Sequence, residues 1–146
     1  MSKYRSAREL LLRILFQVDV GHLPLEEVLE TAWEQVEPSP LERRYVEETI
    51  HGILEEQAEL DRYIEVLAEG WRVDRLAKVD KNVLRAALYE LLHRTEIPIH
   101  VIINDAVEIA KRYSTEDSGR FVNGILGSFV RRREELVPER AGVGAS

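Results

Sequence analysis

Three apolar stripes of helical period, separated by two short breakers, follow one another from Val79 to Phe129. In Lys81 to Arg94, KNVLRAALYELLHR, the positions Val83, Ala86, Ala87, Tyr89, Glu90 and Leu91 are spaced so that an apolar face repeats every three to four residues, as on a buried helix. Pro98 ends this run, because its ring carries no amide proton and disfavours helical backbone at Ile97. A second helix is predicted from there, with Ile99, Ile102, Ile103, Ala106, Ile109, Ala110 and Tyr113 on one side and Asn104, Glu108, Lys111 and Arg112 on the other. The cluster STEDSG offers Ser114, Thr115, Asp117 and Ser118 as helix caps, and a third helix then carries Phe121, Val122, Ile125, Leu126, Phe129 and Val130 inward. Glycine inside a helix costs about 1 kcal/mol relative to alanine, so Gly124 and Gly127 predict a second backbone passing close by. Asn104 and Asn123, within apolar helices, are expected to make internal hydrogen bonds or caps linking these helices, with readout of a base as the second reading.

The remainder can be placed around this block. Tyr4 to Val20 reads as an amphipathic helix with Ala7, Leu10, Leu11, Ile14 and Val18 inward, while Leu12 and Phe16 form a second seam on another side. Leu25 to Val36, Leu41 to Glu56 and Leu60 to Ala68 continue the helical pattern, separated by Gly21 and Pro24 and by the Pro-Ser-Pro loop at 38–40. Trp71 and Leu76 bridge into the central stretch. About seven helices, no strand and no repeat make this an all-α chain, with one domain over 1–136 and a disordered tail over 137–146. A chain of 146 residues with 45% apolar content can bury roughly two-thirds of its unfolded surface.

Signals for chemistry are absent. No cysteine is present, which excludes disulfides and thiolate metal sites, and His22, His51, His93 and His100 lie far apart without metal-ligand spacing. The carboxylate pairs Glu26-Glu27, Glu47-Glu48 and Glu55-Glu56 diverge on a helix. The run GRFVNG at 119–124 lacks the ending of a phosphate-binding loop, and Ser118 has no base nearby in sequence. The expectation is therefore a binding protein rather than an enzyme, with no metal and no cofactor. No apolar run is long enough to cross a bilayer and the N-terminus lacks the apolar centre of a signal peptide, so a soluble cytoplasmic protein is expected.

The net charge of −7 hides an uneven distribution. Residues 25–69 carry fourteen acids against three bases, whereas Lys3, Arg5, Arg8 and Arg13 oppose Glu9 alone near the start. Six bases between Lys111 and Arg133 oppose only Glu116 and Asp117. A basic surface made from both chain ends, with Phe121 as an aromatic face for a base, suits single-stranded RNA. The Leu12 and Phe16 seam suits a protein partner or a second copy of the chain, and a helical interaction module that binds no RNA is the alternative reading.

The strings VDKNVLRAALYELL (79–92), IPIHVIINDAVEIAKRYST (97–115) and SGRFVNGIL (118–126), with SARELLLRILFQVD (6–19), closely resemble the NusB family of bacterial transcription antitermination factors. The resemblance covers the chain to about Val130. It implies two packed helical bundles and a protein that binds the boxA element of ribosomal RNA leaders together with NusE, a small-subunit ribosomal protein, within the RNA polymerase antitermination complex. Matching by position assigns RNA contact to Lys3, Arg5, Arg8, Gln17, Asp117, Ser118, Arg120 and Phe121, and partner contact to Leu12, Phe16 and Asp80. Three positions depart from the family pattern: Phe16 stands for the usual tyrosine, Asp105 for the common glutamate and Gly127 for the common aspartate. A similar helical domain occurs in ribosomal RNA methyltransferases, but this chain has no Gly-rich strand–helix unit for a methyl donor.

Overall fold

A computed structural model describes residues 4–137, and within them the chain is helical throughout, with no strand. The long helices are α1 (Arg5–Asp19), α2 (Leu25–Gln35), α3 (Pro40–Glu55), α4 (Gln57–Leu67), α5 (Lys78–His93), α6 (Ile99–Tyr113) and α7 (Glu116–Arg131). A 3-10 turn at Val73–Arg75 leads into α5, and a four-residue helix α8 (Arg133–Leu136) follows α7. Lys3 and residues 138–146 of the expected tail lie outside the described residues; Val137, placed in that tail by the sequence, packs against the core.

Local chemistry sets the helix starts. Ser39 caps α3 by accepting from the Glu42 amide at 3.1 Å, the Glu42 carboxylate accepts from the Ser39 amide at 2.9 Å, and Pro40 occupies the first turn. Thr115 caps α7 by accepting from the Ser118 amide at 3.0 Å. At the end of α4 the chain turns through left-handed backbone at Glu69 and Gly70, a region that glycine enters without steric penalty.

Helix α5 is the axis of the molecule. It packs against α1, α3, α4, α6 and α7, so all the other long helices except α2 are assembled around it. Ten of its residues are buried, and five of them, Asp80, Lys81, Asn82, Arg85 and Glu90, are polar or charged. A buried charge is tolerated only when it is paired, so the neighbouring helices must supply counter-charges. Asp19 at the end of α1 takes Lys81 at 2.9 Å and accepts from Asn82 at 3.3 Å; these contacts outweigh partial burial and hold the Asp19 carboxyl below its ordinary pKa. Arg85 makes a two-pronged contact with Asp61 of α4 at 2.7 and 2.8 Å. Apolar contacts fill the rest of the core, including Tyr63 edge-on to Phe129 with ring centres 5.8 Å apart.

The expected close backbone approach at Gly124 and Gly127 is not found. An added side-chain carbon at Gly124 would meet open space, and at Gly127 only the tip of Arg131. The close approach lies elsewhere, at Gly52 of α3, where the Tyr89 ring occupies the space a side chain would need, and at Gly119, which sits under Lys111. Asn104 and Asn123 are both exposed, so neither links helices internally; the buried asparagine is Asn82, which donates to the Lys78 carbonyl at 3.0 Å. Ile99, counted inward from its spacing, is exposed at the first turn of α6, and Trp71 is exposed on the loop before α5.

Candidate nucleic-acid and partner interface

The first helix brings cations to two different environments. Arg8 is 6% exposed and reaches into the seam between α1, α5 and α6. Its guanidinium donates to both Glu90 carboxylate oxygens at 2.7 and 2.9 Å, and it also pairs with Asp105 of α6. The Tyr45 hydroxyl donates to the same Glu90 at 2.7 Å, and Arg5 donates to Asp105 at 2.7 Å. Burial alone would lower the Arg8 pKa, but the bond and attraction of Glu90 hold it above its ordinary value. Burial and the Glu90 charge push the Tyr45 hydroxyl well up, so it stays a neutral donor. Asp105, which departs from the common glutamate, is thus an anchor for two arginines. Arg8, expected at the RNA face, is instead placed inside the fold, where its charge is paired with Glu90 and Asp105.

Further along α1 the surface opens. Leu12, Arg13, Phe16 and Gln17 of α1, Val79 at the start of α5 and Tyr113 at the end of α6 line a shallow groove that is mostly apolar. Phe16 is 37% exposed, in keeping with a contact residue, but Leu12 is 6% exposed and forms part of the floor. The expected exposed seam of Leu12 and Phe16 is therefore reduced to Phe16, because Leu12 turns toward α5 and α6. Gln17 and Arg13 are exposed at the edge.

The α7 start lies beside this groove. Ser118 is buried and its hydroxyl donates to Ser114 at 2.9 Å, a contact that ties together the turn between α6 and α7. It is also close to Asp80, the first-turn acid of α5. Asp80 is buried and one of its oxygens has no hydrogen-bond partner among the described residues. Desolvation raises its pKa, and the nearby Ser118 side chain offsets only part of that. Asp117 and Arg120 are exposed and pair with each other, while Phe121 is half-buried against the core.

Sequence spacing missed the end of α6. Arg112 is exposed, pairs with Glu9 of α1 at 3.0 Å and lies over the Tyr113 ring at 5.7 Å. Lys111 packs over Gly119 of α7 and approaches Glu108 and Glu116. Tyr113 closes the apolar stripe of α6 by phase, which hid its 39% exposure at the helix terminus. Among the described residues no group of three potential metal ligands is found, and no helix is long and apolar enough to cross a membrane.

These features define an all-helical binding module with a charged buried axis, an apolar groove and an exposed rim of cations and aromatics. The NusB family matches residues 5–131, and the chain belongs to that family. It is 42% identical over 137 residues to the transcription antitermination protein NusB of Desulforudis audaxviator, covering 94% of this chain and 99% of that protein. The NusB of Anaeromyxobacter dehalogenans is 42% identical over 144 residues, covering 97% of each. Among solved structures, T. maritima NusB superposes with a TM-score of 0.82 at 39% identity, covering 90% of this chain and 92% of that one. A crystal structure of antitermination factors NusB and NusE in complex with dsRNA includes a chain that matches with a TM-score of 0.80 at 25% identity, covering 90% and 98%.

Proposed function

We propose that this chain is a transcription antitermination factor that binds the boxA element of ribosomal RNA transcripts together with NusE, and so promotes transcription of ribosomal RNA operons. The observation that carries the reading is the near full-length match to NusB proteins, one of which was crystallised with NusE and RNA. The geometry supports a division of labour. Phe16 and Val79 line the apolar groove from α1 and α5, the under-satisfied Asp80 carboxylate follows Val79 directly, and this end of the groove suits a protein segment that brings an apolar side chain and a cation. Arg5, Gln17, Asp117, Arg120 and Phe121 are the accessible or half-buried residues of the RNA assignment, and Lys3 completes it outside the described residues.

The test is a fluorescence titration of boxA RNA with the protein, alone and with NusE, across a salt series. Each neutralised phosphate of a single strand contributes about 0.7 to the slope of log affinity against log salt, so a steep fall is expected, and NusE is expected to tighten binding. Salt-independent binding, or capture of NusE with no RNA affinity in any combination, would favour a helical protein-interaction module instead.

A further inference from the structure

Arg8 and Ser118 are absorbed into the fold and Arg5 is tied to Asp105, so the assigned RNA residues on α1 and α7 leave a gap between them. The last turn of α6 fills that gap. Arg112 touches α1 through Glu9, and Lys111 packs on α7 at Gly119, so this turn bridges the two stretches. Beside it, Arg13 projects from α1 at the groove edge. Among the described residues Arg13 has no side-chain partner, and it shares the groove wall with Tyr113.

We propose that Arg13, Arg112 and Tyr113 form a nucleotide-binding site: Tyr113 is a stacking platform for one unpaired base, and the two arginines hold the flanking phosphates. The inference rests on the RNA-binding reading above and extends it to residues outside that assignment. Three properties favour RNA over a protein segment at this end of the groove. Arg13 forms no ion pair with any described residue, although Glu9 and Glu42 line a depression on its other side, so its guanidinium is available to an anion from outside. The Arg112–Glu9 pair is exposed on the arginine side, and such pairs contribute little stability, so Arg112 exchanges Glu9 for phosphate readily. The arginine already lies over an exposed tyrosine ring, the pairing of cation and aromatic face that single-strand sites use. The site is also continuous with both assigned RNA stretches, while Phe16 and Val79, farther toward α5, remain for NusE.

The experiment titrates a fluorescein-labelled single-stranded boxA RNA with full-length protein, with and without NusE, comparing Arg13→Gln, Tyr113→Ala, Tyr113→Phe and, on the far acidic surface, Arg62→Gln. Arg13→Gln is expected to weaken RNA binding several-fold and to reduce the salt slope by about 0.7, one phosphate contact of a single strand. Tyr113→Ala is expected to weaken it at least about fivefold with the slope unchanged, since stacking releases no counterion. Tyr113→Phe keeps the aromatic face and retains binding, as does Arg62→Gln. Wild-type affinity in both Arg13→Gln and Tyr113→Ala, with the parent binding RNA, overturns the site and leaves the function standing. Lost NusE capture at unchanged RNA affinity overturns it in favour of a protein contact. A parent protein that binds no RNA with or without NusE removes the functional reading and the site together.

Discussion

Arg8 and Arg13 lie little more than one turn apart on the same helix, yet they do opposite things. Arg8 is locked between Glu90 and Asp105 in the protein interior, whereas Arg13 stands at a groove edge with no side-chain partner among the described residues. The first is a fastener joining α1, α5 and α6; the second is available to a ligand. A cation in a sequence therefore counts toward an electrostatic surface only after the fold has shown which charges it cancels internally. The basic N-terminal segment is less basic to an approaching polyanion than its composition says, and the function shifts toward cations with no buried acid opposite them.

The sharpest way to break this contrast is Arg8→Ala. Removing one member of a buried ion network leaves Glu90 and Asp105 as uncompensated interior charges, and such losses cost about 3–5 kcal/mol. Thermal melting followed by circular dichroism should show a large drop in Tm; a melt like that of the parent would mean that Arg8 is no fastener. Any loss of RNA affinity in this variant reports the fold first.

Asp80→Asn gives a smaller effect of opposite sign. The folded state holds the Asp80 proton more readily than the unfolded chain, so between the ordinary carboxylate pKa of 3.8 and the raised folded value the folded state binds more protons. Stability from this group therefore declines as pH rises through that window and is absent above it. The asparagine variant should melt higher than the parent at neutral pH and lose this part of the pH dependence, while its capture of NusE weakens. Lower stability at neutral pH with undiminished capture would mean that Asp80 is a structural acid.

Arg13→Gln should change least in the isolated protein. With no partner to lose, its stability should stay within about 0.5 kcal/mol of the parent by chemical denaturation. A larger loss would show that Arg13, like Arg8, belongs to the scaffold.

How far the sequence could be read depended on the kind of signal. Helix positions followed from apolar period and caps, and the observed bounds of α1, α2 and α3 lie close to those the pattern predicts. Glu90 was correctly phased onto the buried face of α5, although its partner 82 residues away could not be read from spacing. The glycines misled, because intrinsic helix cost says that something unusual happens at Gly124 and Gly127 but cannot distinguish a packing contact from an open surface. Gly52, where the contact does occur, carries the same intrinsic cost inside α3, and nothing in its spacing names Tyr89 as the neighbour. Tyr113 was assigned inward by phase, and only the end of α6 beside α1 leaves it partly in solvent.

The sequence alone determined the seven long helices and the membership signalled by the strings at 79–126, because helix period, capping and apolar patterning act over a few residues. It also carried the uneven placement of charge along the chain. Only the tertiary structure decided which of those charges remain available, since the exposure of a cation depends on acids brought to it from distant helices. Arg8 meets Glu90 and Asp105 through packing of three helices, and Arg13, five residues on, forms no ion pair with any described residue. Pairing of buried charges is a long-range condition that the burial of α5 imposes, and no local pattern encodes it.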